Sequence, residues 1–184
     1  MGFKYKIRDQ DEFYFVTFTA INWIDVFIRD SYREIFINSV KHCQENKGLL
    51  VGAWVIMTSH VHMIVGRQGD NNLEHIIRDL KSFTSRHIRL EIEACNFESR
   101  KDWMMSMFHR AGIGNSNNKD FQFWIQGSHP IQLSTVEMMR QRLDYIHNNP
   151  VTAGFVCEPQ HWKYSSAHDY CGGKQGLIDL VMLM

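Results

Sequence analysis

Four side chains stand out as suited to chemistry: His60 and His62, separated by one residue, and Tyr145 and Asn149, separated by one helical turn. Strand side chains alternate with a period of two, so the two imidazoles project from one face about 6–7 Å apart, within reach of a single metal ion. Two imidazoles and an oxygen donor suit Mg2+ or Mn2+ when water and phosphate fill the remaining positions; zinc also accepts imidazole, but no cysteine is placed to help. On a helix Tyr145 and Asn149 are i,i+4 neighbours, which sets a phenol beside an amide oxygen. Such a pair can complete a metal site and present an oxygen nucleophile. A phenol near pKa 10 is mostly protonated at neutral pH, so a metal's field or a nearby base must favour the phenolate. Plainer readings stand beside these: a chain with 10 histidines yields close pairs by composition, and Asn148-Asn149-Pro150 also reads as a helix terminus.

The elements that must position these residues follow from patterning. Residues 13–19 are aromatic and β-branched, which predicts a strand buried on both faces. Ser31 with Glu34 has the spacing of a capping box, opening a helix that stops at Lys47-Gly48. Residues 50–57 and 60–66 form two apolar runs joined at Thr58-Ser59, a short hairpin. Asn71-Asn72 caps a helix running to about Glu93, and residues 95–120 form an excursion ending in a polar turn from Gly112 to Asn118. Residues 121–125 predict a last strand. Ser134 with Glu137 then opens a helix that Pro150 must stop. The order β-α-β-β-α-β plus one helix predicts an α+β, ferredoxin-like antiparallel sheet with helices on one face and an additional C-terminal helix carrying the tyrosine. In that topology the first and third strands are central, so the histidine strand lies mid-sheet. On the final helix Val136, Met139, Leu143 and Ile146 make the core stripe, while Tyr145 falls off it, near Met138, Gln141, Arg142 and Asn149.

One domain over residues 1–184 is expected, with 95–120 as an insertion and 151–184 as a C-terminal extension. Lys+Arg and Asp+Glu both number 20, so nothing global draws the chain to nucleic acid or an anionic membrane. Local segregation must do so. Along 73–93, Arg78, Lys81, Arg86 and Arg89 share an arc with Ser82 and Ser85, opposite Leu73, Ile76, Leu80, Phe83 and His87; the four cations are the candidates for phosphate contacts. Trp103, Trp124 and Trp162 are aromatics able to stack on bases, a type found more often in cores. The cysteines, 43, 95, 157 and 171, include no C-x-x-C pair, which argues against a structural zinc site or a disulfide framework and fits a reducing cytoplasm. No secretory signal and no run of 18 apolar residues points to a membrane.

Taken in order, Met57-Thr58-Ser59-His60-Val61-His62-Met63-Ile64-Val65, Phe123-Trp124-Ile125-Gln126, Tyr145-Ile146-His147-Asn148-Asn149-Pro150-Val151 with Gly154-Phe155-Val156, and Trp162-Lys163-Tyr164-Ser165-Ser166-Ala167 with Tyr170 resemble the HUH-type tyrosine transposases. The likeness is greatest to the REP-associated tyrosine transposases. It implies a ferredoxin-like core, cleavage of single-stranded DNA beside hairpins or palindromes, a 5′-phosphotyrosine intermediate and a divalent metal. His60 and His62 fall on the family's metal-binding histidines, Tyr145 on its nucleophile, and Asn149 where relatives place a third ligand, often Gln. Thr58-Ser59 stands where the family often has Pro-Asn, and the 95–120 excursion is longer than in compact relatives. The resemblance therefore implies a metal-dependent single-strand endonuclease and strand transferase, with monomer and homodimer both open. A hairpin-binding protein that no longer cleaves and a water-using metal nuclease are the alternatives.

Overall fold

The computed structural model describes residues 6–113, 120–172 and 175–183. Its centre is a four-stranded sheet in the order β2-β3-β1-β4, built from β1 (Tyr14–Thr19), β2 (Leu49–Ile56), β3 (His60–Arg67) and the short β4 (Ile131–Gln132). All neighbours are antiparallel. The central pair is β1 and β3, with Thr17 opposite His62 and Thr19 opposite His60. Alternation then sorts the side chains. Tyr14, Val16, Phe18, Val61, Met63 and Val65 enter the main core, while Phe15 and Ile64 join a second cluster on the opposite face. A register shift between Val51 and Ala53 exchanges the faces of β2, so that Leu49, Val51, Trp54 and Ile56 enter the main core while Ala53 and Val55 join the second cluster.

Helices α1 (Asp30–Lys47) and α2 (Leu73–Ala94) cover the first face and meet each other there. The capping box expected at Ser31 does not form: α1 opens at Asp30, behind an Arg29 that gives no side-chain cap. Asp30 instead places a carboxylate in the positive first turn and pairs with Arg33 at 2.9 Å. Gly48 ends α1 with φ 73°, and a Cβ there would lie 2.0 Å from the Gln68 carbonyl, so only glycine fits. Asn72 caps α2 as expected, accepting from the Glu74 N–H at 2.9 Å. The buried stripe of α2 is rotated from the expected one: Ile77, Thr84, Ile88 and Ile92 are buried with Leu73, Ile76 and Leu80, whereas Phe83 is exposed against His87. A hydroxyl is tolerated in that stripe because Thr84 donates to the Leu80 carbonyl and accepts from the Trp124 indole N–H.

Within the 95–120 excursion lies a further helix, α3 (Lys101–Ile113), whose Met104 and Phe108 extend the main core. The turn expected from Gly112 thus begins inside α3, and residues 114–119 lie outside the described residues. Residues 121–125 are not the paired last strand. They run beside the end of β1 with one bridge, Ala20 to Trp124, while β4 comes later, at Ile131–Gln132. Between the two, Gly127 and His129 adopt positive φ and Pro130 lacks an N–H, which breaks the ladder into two pieces.

The last long helix, α4 (Val136–Thr152), lies on the second face against β2 and β3. Its cap is Thr135, accepting from the Met138 N–H at 3.1 Å, rather than Ser134. Leu143, Ile146 and Pro150 are its buried line; Val136 is exposed. Nor does Pro150 stop the helix, which runs two residues further to Thr152. Residues 164–166 and Val181 then close the free edge of β2: Ile56 N–H donates to the Tyr164 carbonyl, Ser166 N–H to the Trp54 carbonyl, and Val181 N–H to the Val51 carbonyl. The extension is therefore an edge cover built into the sheet.

Candidate active site

β3 and α4 bring the chemical residues together. His60 and His62 project from the face of β3 that α4 covers, with ring centroids 4.8 Å apart. From α4, the Tyr145 ring lies 5.1 Å from that of His62, and its hydroxyl is 3.4 Å from His62 Nε2. Asn149, one turn on, acts on His60 through its side chain and favours its protonation. The four residues singled out from spacing thus converge. Tyr145 remains 45% exposed, so its phenol is open to a large substrate, whereas His62 is only 6% exposed.

Residues that spacing alone did not single out complete the arrangement. Thr17, across the sheet from His62, sits with Oγ1 2.9 Å from His62 Nδ1. If Nδ1 carries the proton and donates to Thr17, the Nε2 lone pair faces Tyr145. Ser59 Oγ lies 3.2 Å from His60 Nδ1. Phe15 stacks on His62 at 5.4 Å, and the Arg142 guanidinium lies over Phe15 at 4.9 Å. Burial pulls His62 down to about 3, with His60 and Arg142 adding positive charge against its protonation. Burial also lowers His60, opposed by the Asn149 hydrogen bond and Asp25. Both rings are therefore neutral near pH 7, the form that ligates metals. Two neutral imidazoles and an amide oxygen fit a hard divalent ion that keeps positions for water and phosphate. No group of three or more His, Cys, Asp or Glu that could hold a metal occurs among the described residues. The Asn149 amide oxygen could supply a third donor beside the two histidines.

Comparison with known proteins gives a family. The model described as "Transposase IS200 like" matches residues 14–126, well over half of the chain. This chain belongs to the IS200-like transposase family. The matched span includes both histidines and ends before Tyr145. Among solved structures, a REP-associated tyrosine transposase bound to a REP hairpin is similar with TM-score 0.67 at 17% identity, over 100% of this chain and 94% of that one. The likeness is one of fold. A putative transposase from Deinococcus radiodurans R1 is similar at TM-score 0.41 and 16% identity, over 80% of this chain and 94% of that one, and adds nothing to the assignment. No curated protein matches.

The transposase's basic arc is partly assembled into a trough of about 600 Å³ between α2 and residues 121–127. Lys81, Arg86 and Arg89 line it with Ser82 and Ser85. Lys81 is engaged by the protein itself, its ammonium donating to the Ile125 and Gly127 carbonyls at 3.0 and 2.6 Å, and burial pulls it down to about 8. Arg89 pairs with Glu93 and lies over Phe121 at 5.0 Å; Arg86 is exposed. Arg78 is not among the trough's lining residues and pairs with Asp79. Of the three tryptophans considered for stacking, Trp124 is buried, Trp162 donates its N–H to the Ile56 carbonyl, and Trp103 is exposed on α3. No helix among the described residues is long and apolar enough to cross a membrane.

Proposed function

We propose that this transposase cuts and rejoins single-stranded DNA beside hairpin elements, using Tyr145 as the covalent nucleophile and a divalent ion, Mg2+ or Mn2+, held by His60, His62 and Asn149. The observation that carries the reading is the exposed phenol of Tyr145 within 3.4 Å of His62 Nε2, above a neutral histidine pair. The hairpin part rests on the fold shared with a transposase solved in complex with a REP hairpin.

Thr17 Oγ1 against Nδ1 orients the His62 ring, and with Nδ1 protonated the Nε2 lone pair is left to ligate. When bound there, the ion supplies charge that favours the phenolate and polarises the scissile phosphate. The Tyr145 oxygen attacks phosphorus, the P–O3′ bond breaks, and the departing 3′-oxygen takes up a proton. The phosphotyrosyl ester conserves the energy of the broken bond. A free 3′-hydroxyl can then reverse the step on another end, joining strands without a nucleotide cofactor. Arg142, close enough to act on His62 electrostatically, adds positive charge where phosphate must sit. Arg86 and Arg89 in the trough, with Lys81 at its wall and Arg78 beyond it, supply the basic surface for the DNA backbone.

The test is metal-dependent nicking of hairpin oligonucleotides carrying single-stranded flanks, comparing the parent with Tyr145→Phe. Loss of nicking with retained binding supports the reading. Continued nicking by Tyr145→Phe assigns the attack to water, and no nicking by the parent leaves a DNA-binding protein.

A further inference from the structure

Trp23 is the most conspicuous residue beside the site that the chemistry above does not use. It belongs to the single turn Ile21–Trp23 that follows β1, and its ring lies 5.4 Å from that of His60. The side chain is 61% exposed, and its indole N–H has no hydrogen-bond partner among the described residues. Large aromatic rings are ordinarily covered, so an open indole against a catalytic histidine needs a reason.

The backbone holds it there at a cost. Asn22 and Trp23 have φ 54° and 55°, a left-handed conformation that a bulky residue adopts only when its surroundings impose it. Those surroundings are firm on both sides. Ile21 N–H donates to the Phe123 carbonyl, Phe27 N–H donates to the Thr58 carbonyl, and Ile24, Val26 and Phe27 are buried. The turn so held keeps the Trp23 ring beside His60.

Resting on the functional reading above, we propose that Trp23 is the stacking platform for an unpaired nucleobase, that of the nucleotide bearing the departing 3′-oxygen. Ring contacts order the site as Trp23 to His60, His60 to His62, and His62 to Tyr145, at 5.4, 4.8 and 5.1 Å. An in-line attack from Tyr145 expels the 3′-oxygen on the side away from the phenol, and Trp23 is the ring of this series separated from Tyr145 by both histidines. An indole face accepts any base, so Trp23 supplies affinity and position rather than sequence choice.

The experiment uses the full chain in the Tyr145→Phe background, so that binding is read without cleavage, and hairpin oligonucleotides with 2-aminopurine or an abasic site walked along the single-stranded flank. The parent reaction first marks the cleaved bond. The 2-aminopurine at the nucleotide 5′ of that bond is expected to be quenched on binding. Trp23→Ala should lose that quenching and weaken binding by roughly 5- to 150-fold, the range for one base on one aromatic ring. Trp23→Phe should retain most of the affinity. Trp23→Leu, which keeps apolar bulk without a π face, should resemble Ala. The abasic site should cost the parent as much as the Ala change does, and should cost the Trp23→Ala variant nothing more. Unchanged quenching and affinity in the folded Ala or Leu variants, or an abasic penalty that persists in them, overturns the proposal. A parent that forms no covalent adduct instead overturns the functional reading, because quenching and affinity do not depend on the nucleophile.

Discussion

Thr17→Val removes one oxygen from the site and little else. Thr and Val have nearly the same shape and both favour strands, and the Thr17 N–H bond to the Ser128 carbonyl is untouched. What disappears is the hydroxyl 2.9 Å from His62 Nδ1. Because His62 is 6% exposed, water cannot easily replace it, and a buried donor is left unpaired at a cost of about 1–3 kcal/mol. That cost falls on the tautomer that turns Nε2 toward Tyr145, so Mn2+ affinity should drop by roughly 10- to 100-fold, the usual effect of losing a partner behind a metal-ligating histidine. At about 1.4 kcal/mol per decade, the two scales agree. Calorimetric Mn2+ titration of the parent, Thr17→Val and Thr17→Ser measures it, with Ser expected to restore most of the affinity. Equal Mn2+ affinity in parent and Thr17→Val, with unchanged circular dichroism, would refute the assignment of Thr17 as the group that orients His62.

His60→Ala combined with His62→Ala should abolish metal-dependent nicking while the thermal midpoint stays within a few degrees, as both rings lie off the main core; unchanged nicking removes the metal site from the account. Arg86→Gln with Arg89→Gln should weaken binding to all single strands alike and flatten the slope of log affinity against log salt by roughly 0.7 per lost contact; an unchanged slope places the DNA elsewhere. Lys81→Gln should instead lower stability, because its ammonium ties down the Ile125 and Gly127 carbonyls. Glu98 is buried among Arg29, Arg100 and Tyr32; burial raises its pKa, but the hydrogen bonds from Arg100 and Arg29 outweigh it and hold the carboxyl at about 2. A folded pKa below the unfolded one gives stability that is complete above about pH 4.5 and lost as pH falls toward 2. Urea unfolding should show Glu98→Gln less stable than the parent by about 3 kcal/mol at pH 7, with the gap closing over that acid range.

Short-range patterns exposed much of this molecule, and long-range contacts account for what they hid. The histidine pair was readable because strand periodicity alone puts His60 and His62 on one face, and Tyr145 because it leaves the stripe of Leu143 and Ile146. The sheet order followed from the alternation of strands and helices. Thr17 could not be seen, since only the β1–β3 register sets it opposite His62. Residues 121–125 have strand composition, but their register against β1 is broken by Gly127 and His129 further along. Pro150 reads as a stop signal, yet it is buried in a helix whose remaining turn closes behind it, with the Phe155 N–H donating to the Pro150 carbonyl. Trp23 carried no periodic signal, because a single strained turn presents it. Glu98 carried no signal either, because its pairing depends on Arg29, far away in the chain.

Covalent cleavage turns on one oxygen atom, that of the Tyr145 phenol. Incubating the protein with Mn2+ and a hairpin oligonucleotide carrying its single-stranded flank, then denaturing, digesting with trypsin and nuclease, and sequencing the modified peptide by mass spectrometry, locates the covalent bond directly. A nucleotide phosphate is expected on Tyr145, within the tryptic peptide that begins at Leu143, and none in Tyr145→Phe. Cleaved DNA with no protein adduct, or an adduct on any other residue, contradicts Tyr145 as the nucleophile.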